Sequence, residues 1–362
     1  MDGGGVRGIL TLGILKKLEQ EIRKKHNQSI GEYYDLIAGT STGAIIAASL
    51  AIGKSVDELT ALYLNLGQDI FGKGRKCKII PRNWTGLRAL FKENYSSENL
   101  EDILKSEFKE ITIGDTENIV CGLAINAKRA DTYSLWTVAN HPDGKYYHAN
   151  KHLKLWELCR ASSAAPYYFK PKILRLRTRN KVEFDAAFID GGVSLANNPS
   201  WVSFLTTTVG TFGFKWDTGT ESLHICSVGT GSGVKKEKAE KFRNLRALSW
   251  ANRLPDLFMT DAMEMNQILL EGVGVNKGKH HHFIDSQFSD EDKSYAPFFR
   301  MNEKLFSFER HNVVIGKLQL VELGFEFSDD EIGSLVQMDY YENMDTLLVI
   351  GKKYAETAEF YV

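Results

Sequence analysis

Residues 33–53 read YYDLIAGTSTGAIIAASLAIG. YYDLIA (33–38) has the composition of a short buried strand, and AIIAASLAIG (44–53) that of a buried helix. Between them stands GTSTG (39–43), a G-x-S-x-G pattern in the context that gives it meaning, strand before and helix after. A serine on such a strand-to-helix turn is strained, with Oγ exposed. Gly39 and Gly43 stand where no side chain fits. The N–H groups at the start of the helix face any oxyanion formed there. Ser41 is the candidate nucleophile; an ordinary βα turn of small residues is the bland alternative.

Upstream of this turn, the sequence holds one helix and one strand. That is too little for the α/β-hydrolase fold, where the elbow follows several strands. The preceding motif is DGGGVRG (2–8), which runs into a helix with Ile9, Leu12, Leu15, Leu18 and Ile22 on one stripe. A glycine loop at a helix N-terminus offers backbone N–H donors, an oxyanion hole without side chains. The same letters spell G-x-G-x-x-G. However, no strand precedes them, and the acid expected about 20 positions on falls on Glu19 or Glu21, inside the helix. A third motif, IDGGVSLANNP (189–199), puts Asp190 at the end of an apolar strand with Gly191 and Gly192 behind it. Alone it reads as an Asp-Gly turn; with the other two it reads as a carboxylate held at a sheet edge.

In this order, DGGGVRG, GTSTG, RASSAAPYYF (160–169) and DGG followed by NNP resemble the patatin-like phospholipases. These are acyl-ester hydrolases with a Ser–Asp dyad and no catalytic histidine. The resemblance covers roughly residues 2–231. It implies Ser41 as nucleophile and Asp190 as base, with an oxyanion hole from Gly3, Gly4 and Gly5 plus the Thr42 N–H. Arg7 occupies the family's basic position in the loop. Gly39, Gly43, Gly191 and Gly192 are supporting positions. The chemistry is coherent on its own terms. Serine needs an adjacent base, and a buried aspartate with a raised pKa can take the proton directly. Family members carry an apolar strand ahead of the glycine loop. Here Met1 stands directly before Asp2, which predicts an exposed sheet edge and a loop that frays.

The remaining chain sets the frame. Strand and helix patterns alternate: strands at 119–125 and 132–138, strand then turn at 188–192 and 223–231, helices at 153–164, 255–272 and, behind capping boxes, from Ser55 and from Ser328. They predict an α/β three-layer sandwich with a largely parallel central sheet. A catalytic domain spans 1–231, and a mostly helical extension, 232–362, packs on it. The net charge of −1 and 43% hydrophobic content suit a globular protein with no global attraction to nucleic acid. Cys77, Cys121, Cys159 and Cys226 are scattered. They suggest free thiols in a reducing cytoplasm, with peripheral attachment at the inner membrane. No spanning apolar run, no cofactor motif and no metal-ligand spacing is read.

Residues 71–92 interleave Arg75, Lys76, Lys78, Arg82 and Trp84 with apolar side chains. They suit either an interfacial lid on an anionic bilayer or a partly buried helix with a basic face. His280–His282 reads as an exposed loop. The resemblance implies a membrane phospholipid substrate. By analogy of layout it also extends to bacterial antiphage effectors that a cyclic dinucleotide activates; no nucleotide motif is assigned. A soluble ester hydrolase or acyltransferase on the same dyad, and a lipid- or nucleotide-binding module with a decayed site, are the alternative readings.

Overall fold

The computed structural model describes residues 1–72, 95–178, 180–233, 239–243, 245, 249–250, 253–278 and 301–362. In chain order the main elements are α1 (Gly8–His26), α2 (Ile30–Tyr33), β1 (Leu36–Thr40), α3 (Thr42–Ala51), α4 (Val56–Leu66), α5 (Ser97–Phe108), β2 (Gly122–Arg129), β3 (Leu135–Ala139), α6 (Tyr147–Asn150), α7 (Leu155–Ser162), β4 (Lys172–Arg177), β5 (Glu183–Asp190), α8 (Ser200–Thr208) and β6 (His224–Val228). Beyond these come β7 (Ser232–Gly233), α9 (Leu254–Val273), β8 (Gly274–Asn276), β9 (Phe306–His311), β10 (Val314–Ile315), α10 (Lys317–Glu322), α11 (Asp329–Leu335) and α12 (Met344–Thr357).

Local rules account for most of these elements. The α1 stripe Ile9, Leu12, Leu15, Leu18 and Ile22 is buried, and Asn27 ends the helix in the left-handed region at φ 57°. α3 is buried on every side, as its uniformly small and apolar composition requires. Ser55 with Glu58 and Ser328 with Glu331 form the capping boxes that open α4 and α11. β2 begins three residues later than the apolar run at 119 suggests, because Ile119 and Val120 sit in the approach, where Val120 N–H donates to the α3 carbonyl of Ala51.

Registers along β2 position the site. β1 runs parallel to β2 and ends with Thr40 opposite Asn126; β5 runs antiparallel and ends with Asp190 opposite Ala127. β3 pairs with β2 over Ala124–Lys128, overlapping both ranges. It therefore takes one edge of β2, and β1 and β5 share the other. The C-terminal ends of β1 and β5 meet there head to head. α3 and α7 pack across these strands, and β4 extends the sheet beyond β5.

Parallel pairing, which joins β1 to β2 in the first sheet, governs all of the second sheet, β6–β9–β8, and the short β7–β10 pair. The result is a mixed α/β fold with helical layers, four parallel and three antiparallel pairings among the described strands. The region beyond residue 231 is largely helical, and it also places β8 and β9 beside β6. Its last helix, α12, lies backbone to backbone on α1. A Cβ on Gly13 would stand 2.7 Å from the Leu348 carbonyl, and one on Gly351 would stand 2.3 Å from that of Leu10.

The first residues are not frayed. The Met1 nitrogen donates to Ala38 O at 2.8 Å, Thr40 N–H reaches Met1 O at 3.3 Å, and Asp2 N–H donates to Val228 O at 3.1 Å. Met1 and Asp2 thus connect β1 to β6. The Asp2 carboxylate, 1% exposed, is held by Arg310, whose Nη1 lies 2.9 Å from Oδ1. The expectation of an untethered loop overlooked partners supplied by β6 and β9, far along the chain.

Candidate active site

Ser41 joins β1 to α3 with φ 56° and ψ −123°, strained backbone for a residue with a Cβ. The flanking glycines are demanded by contact. A Cβ on Gly39 would lie 2.0 Å from Gly43 O, and one on Gly43 would lie 2.2 Å from Met1 O. The turn therefore packs its backbone directly on the residues that lead into the glycine loop. Ser41 N–H donates to Ser162 Oγ at 2.8 Å, and Ser162 donates in turn to Asn126 O at 2.6 Å. The turn is thereby fastened to α7 and β2.

Ser41 Oγ donates to Asp190 Oδ2 at 2.6 Å, across the meeting point of β1 and β5. The other carboxylate oxygen accepts Gly192 N–H at 2.6 Å. Asp190 is 5% exposed. Burial raises its pKa from the usual 3.8 to about 6, against the hydrogen bonds of Ser41 and Gly192 and the charge of Arg160. A carboxylate with a pKa near neutrality is matched to general-base work. A Cβ on Gly191 would meet Asn126 O at 2.5 Å, so this glycine also follows from close approach.

The glycine loop arches over this pair. Gly3 N–H donates to Asn197 O, and Thr230 Oγ1 donates to Gly3 O, both at 3.0 Å. Gly3 therefore lines the cavity with its amide already engaged, which removes it as an oxyanion donor. Gly4 and Gly5 amides donate to no acceptor among the described residues, and the same holds for Thr42 N–H at the start of α3. Thr230 fills the space where a Gly4 side chain would go. Gly5 has φ 60°, and a Cβ there would stand 2.2 Å from Met338 O, the carbonyl that accepts Val6 N–H at 2.8 Å. Arg7 is buried in the following turn and is absent from the cavity lining.

A cavity of about 130 Å³ opens from the Ser41–Asp190 pair. One end holds Gly3, Gly4, Gly5, Ser41, Thr42, Asp190 and Gly192. The rest is mainly apolar, with Ile45, Leu66, Ile70, Phe71, Leu100 and Phe169 from the N-terminal part and Met259, Met338 and Met344 from beyond residue 231, beside the polar Ser163 and Asn197. Polar donors at one end of an apolar slot suit a long-chain acyl ester. Arg75, Lys76, Lys78, Arg82, Trp84 and His280–His282 lie outside the described residues.

Several residues here were not picked out as site positions. Ser162 lies inside RASSAAPYYF, but nothing local shows that its hydroxyl bridges Ser41 to Asn126. Asn126 left one signal, a lone amide in the apolar run of β2; it is 1% exposed and accepts from Thr137 Oγ1 at 2.7 Å. Met338 and Arg310 left none.

Comparison with known proteins identifies the family. Residues 1–202 match the family model described as patatin-like phospholipase. The chain is 34% identical over 212 residues to a protein named cGAMP-activated phospholipase from Escherichia coli, covering 57% of this chain and 54% of that one. A protein of the same name from Vibrio cholerae is 32% identical over 206 residues, 56% and 55% of the two chains. Patatin group J-1 of Solanum tuberosum is 25% identical over 220 residues, 58% and 52%. The chain spans about half the length of these curated relatives.

Proposed function

Because the chain belongs to the patatin-like phospholipase family, we propose that it hydrolyses the fatty-acyl esters of membrane glycerolipids through Ser41 and Asp190. The observation that carries this reading is the 2.6 Å Ser41–Asp190 hydrogen bond at the polar end of an apolar cavity. Asp190 removes the Ser41 proton as Oγ attacks the ester carbonyl. The tetrahedral oxyanion is received by the amides of Gly4, Gly5 and Thr42. Collapse breaks the C–O bond, and Asp190 returns the proton to the departing alkoxide. Asp190 then deprotonates a water that attacks the acyl-enzyme, and it hands that proton to Ser41 Oγ as the ester bond breaks, releasing fatty acid and restoring Ser41.

The acyl chain occupies the apolar cavity. The approach to a bilayer runs along α9, which exposes Leu254, Leu257, Phe258 and Met265 while its Met259 lines the cavity. The segment ahead of it, KKEKAEKFRNLRALSWANR (235–253), is strongly basic in sequence and suits anionic headgroups. No helix among the described residues is long and apolar enough to cross a membrane. Cys121, Cys159 and Cys226 are free, which suits a reducing compartment. The two bacterial relatives are named for activation by cGAMP; we extend cyclic-dinucleotide activation to this chain. Met338, Met344 and Met259 give the region beyond 231 a direct route to the glycine loop and cavity.

The test is fatty-acid release from anionic phospholipid vesicles, with and without cGAMP, beside a short-chain soluble ester. Release by the wild type and none by Ser41→Ala supports the reading. A folded wild type inert in both conditions, or equal release by Ser41→Ala, contradicts it. Preference for the soluble ester supports instead a soluble acyl-ester hydrolase.

A further inference from the structure

Strands β6 and β9 pair in register, with His224 opposite Ser307, Cys226 opposite Glu309 and Val228 opposite His311. Alternation sends Leu223, Phe306 and Phe308 to one face, where they join an apolar cluster with α8 and α9. The opposite face carries His224, Cys226, Glu309 and His311. One donor atom each from Cys226, Glu309 and His311 lies within 4.8 Å of the other two. Glu309 is 1% exposed and His311 2%.

The polar atoms of this cluster approach one another closely but satisfy one another only in part. His311 Nε2 stands 3.1 Å from Glu309 Oε2, and His224 Nε2 stands 3.6 Å from Glu309 Oε1. Yet both ring nitrogens of His311, Nε2 of His224 and Oε1 of Glu309 lack a hydrogen-bond partner. Buried polar atoms without partners are rare, and several in one cluster call for a cause. Imidazole nitrogens that approach a carboxylate without aiming an N–H at it suit lone pairs directed into shared space.

We propose that Cys226, Glu309 and His311 bind a divalent ion of borderline softness, zinc foremost. Sulfur, nitrogen and oxygen donors together favour such an ion over calcium or magnesium. Tetrahedral bonds of about 2.0–2.3 Å need only a small contraction of the cluster. A thiolate and a carboxylate neutralise the double charge. The surroundings support the donors. His224 Nδ1 is joined to Ser307 Oγ at 2.9 Å, and Tyr361 N–H donates to Glu309 Oε2 at 3.0 Å, leaving Oε1 to ligate. The Phe360 ring lies against His311, centroids 4.4 Å apart. Cys226 is half-buried. The ion would clamp β6 to β9 through Glu309 and His311, the neighbours of the Arg310 that holds Asp2 ahead of the glycine loop. The sequence concealed the set because its members fall at 226 and 309–311, far from any metal-ligand spacing.

The test loads the purified full chain with Zn²⁺ or Co²⁺, removes excess, and measures bound metal by mass spectrometry and the Co²⁺ adduct by absorption. The expected result is about one ion per chain and a thiolate-to-cobalt charge-transfer band. Cys226→Ser abolishes the band, Cys121→Ser retains it, and His311→Gln weakens binding by about tenfold or more. The His280–His282 run contains no thiol and cannot produce that band. A folded wild type that retains no ion, or a cobalt adduct without the thiolate band, overturns the proposal. The wild-type measurement decides even if a variant fails to fold.

Discussion

Ser162 Oγ accepts the amide hydrogen of Ser41 at 2.8 Å. That bond helps to hold the strained turn, and Ser162 passes it on to Asn126 O. Ser162→Ala leaves a buried N–H and a buried carbonyl without partners, at a cost of about 1–3 kcal/mol. The variant should fold, melt earlier and lose about tenfold to a hundredfold in kcat, since a small misplacement of a nucleophile is costly. Ester hydrolysis and thermal melts measured together check this. A variant of unchanged kcat would show that Ser41 holds its geometry unaided.

Asp190 should produce opposite signs in activity and stability. In the proposed mechanism its ionised form is the base, so kcat/KM should rise with pH through about 6 and level off above. The folded state raises this pKa above the unfolded value of 3.8. Stability from the protonated group is therefore fully present below 3.8 and lost as pH rises through about 6. At neutral pH the ionised carboxylate destabilises the fold by about 3 kcal/mol. Asp190→Asn should abolish hydrolysis and raise the melting temperature at pH 7.5, with the gain vanishing near pH 4. Equal melting at pH 7.5 would contradict the buried-base account.

Gly5 combines φ 60° with the carbonyl of Met338 at the Cβ position. Gly5→Ala must move the loop or Met338. The expected outcome is a loss of about a hundredfold in kcat, comparable to removal of one oxyanion donor, with KM for a soluble ester little changed. Steady-state kinetics resolve the two parameters. A loss confined to KM would argue that the Gly5 amide has no part in the oxyanion hole.

Arg310 and Asp2 are paired at 2% and 1% exposure. Arg310→Met leaves Asp2 buried and uncompensated, and should cost about 3–5 kcal/mol. The double variant with Asp2→Asn should recover much of that. Denaturant unfolding of all four species measures the coupling; additive losses would contradict the pairing.

The exposed side chains of α9 give a fifth contrast. Replacing Leu257 and Phe258, 47% and 60% exposed, by serine should lower vesicle hydrolysis while leaving a soluble ester unaffected. Equal loss on both substrates would remove α9 as the lipid-facing element.

What could be read from the sequence was local. GTSTG, DGGG and DGG are legible because backbone contact allows nothing but glycine at Gly39, Gly43 and Gly191. α1, α4 and α11 are legible from their periodicity and capping boxes. Long-range relations were not. Asp2 finds Arg310 across the chain, Val6 finds Met338, and Gly3 spends its amide on Asn197. No window of sequence reports which distant carbonyl will take an N–H. β5 began five residues earlier than the apolar reading FID because its EFDAA half pairs with β4 while alternating exposed and buried residues. The head-to-head meeting of β1 and β5 on β2 likewise depends on registers.

The central claim is that Ser41 is the nucleophile activated by Asp190. Its most direct measurement is intact-protein mass spectrometry after exposure to a fluorophosphonate, with the adduct mapped by peptide fragmentation. One adduct on Ser41, absent in Ser41→Ala and much slowed in Asp190→Asn, is the predicted result. No adduct on folded wild-type protein, with or without cGAMP, or an adduct on another residue, would contradict it.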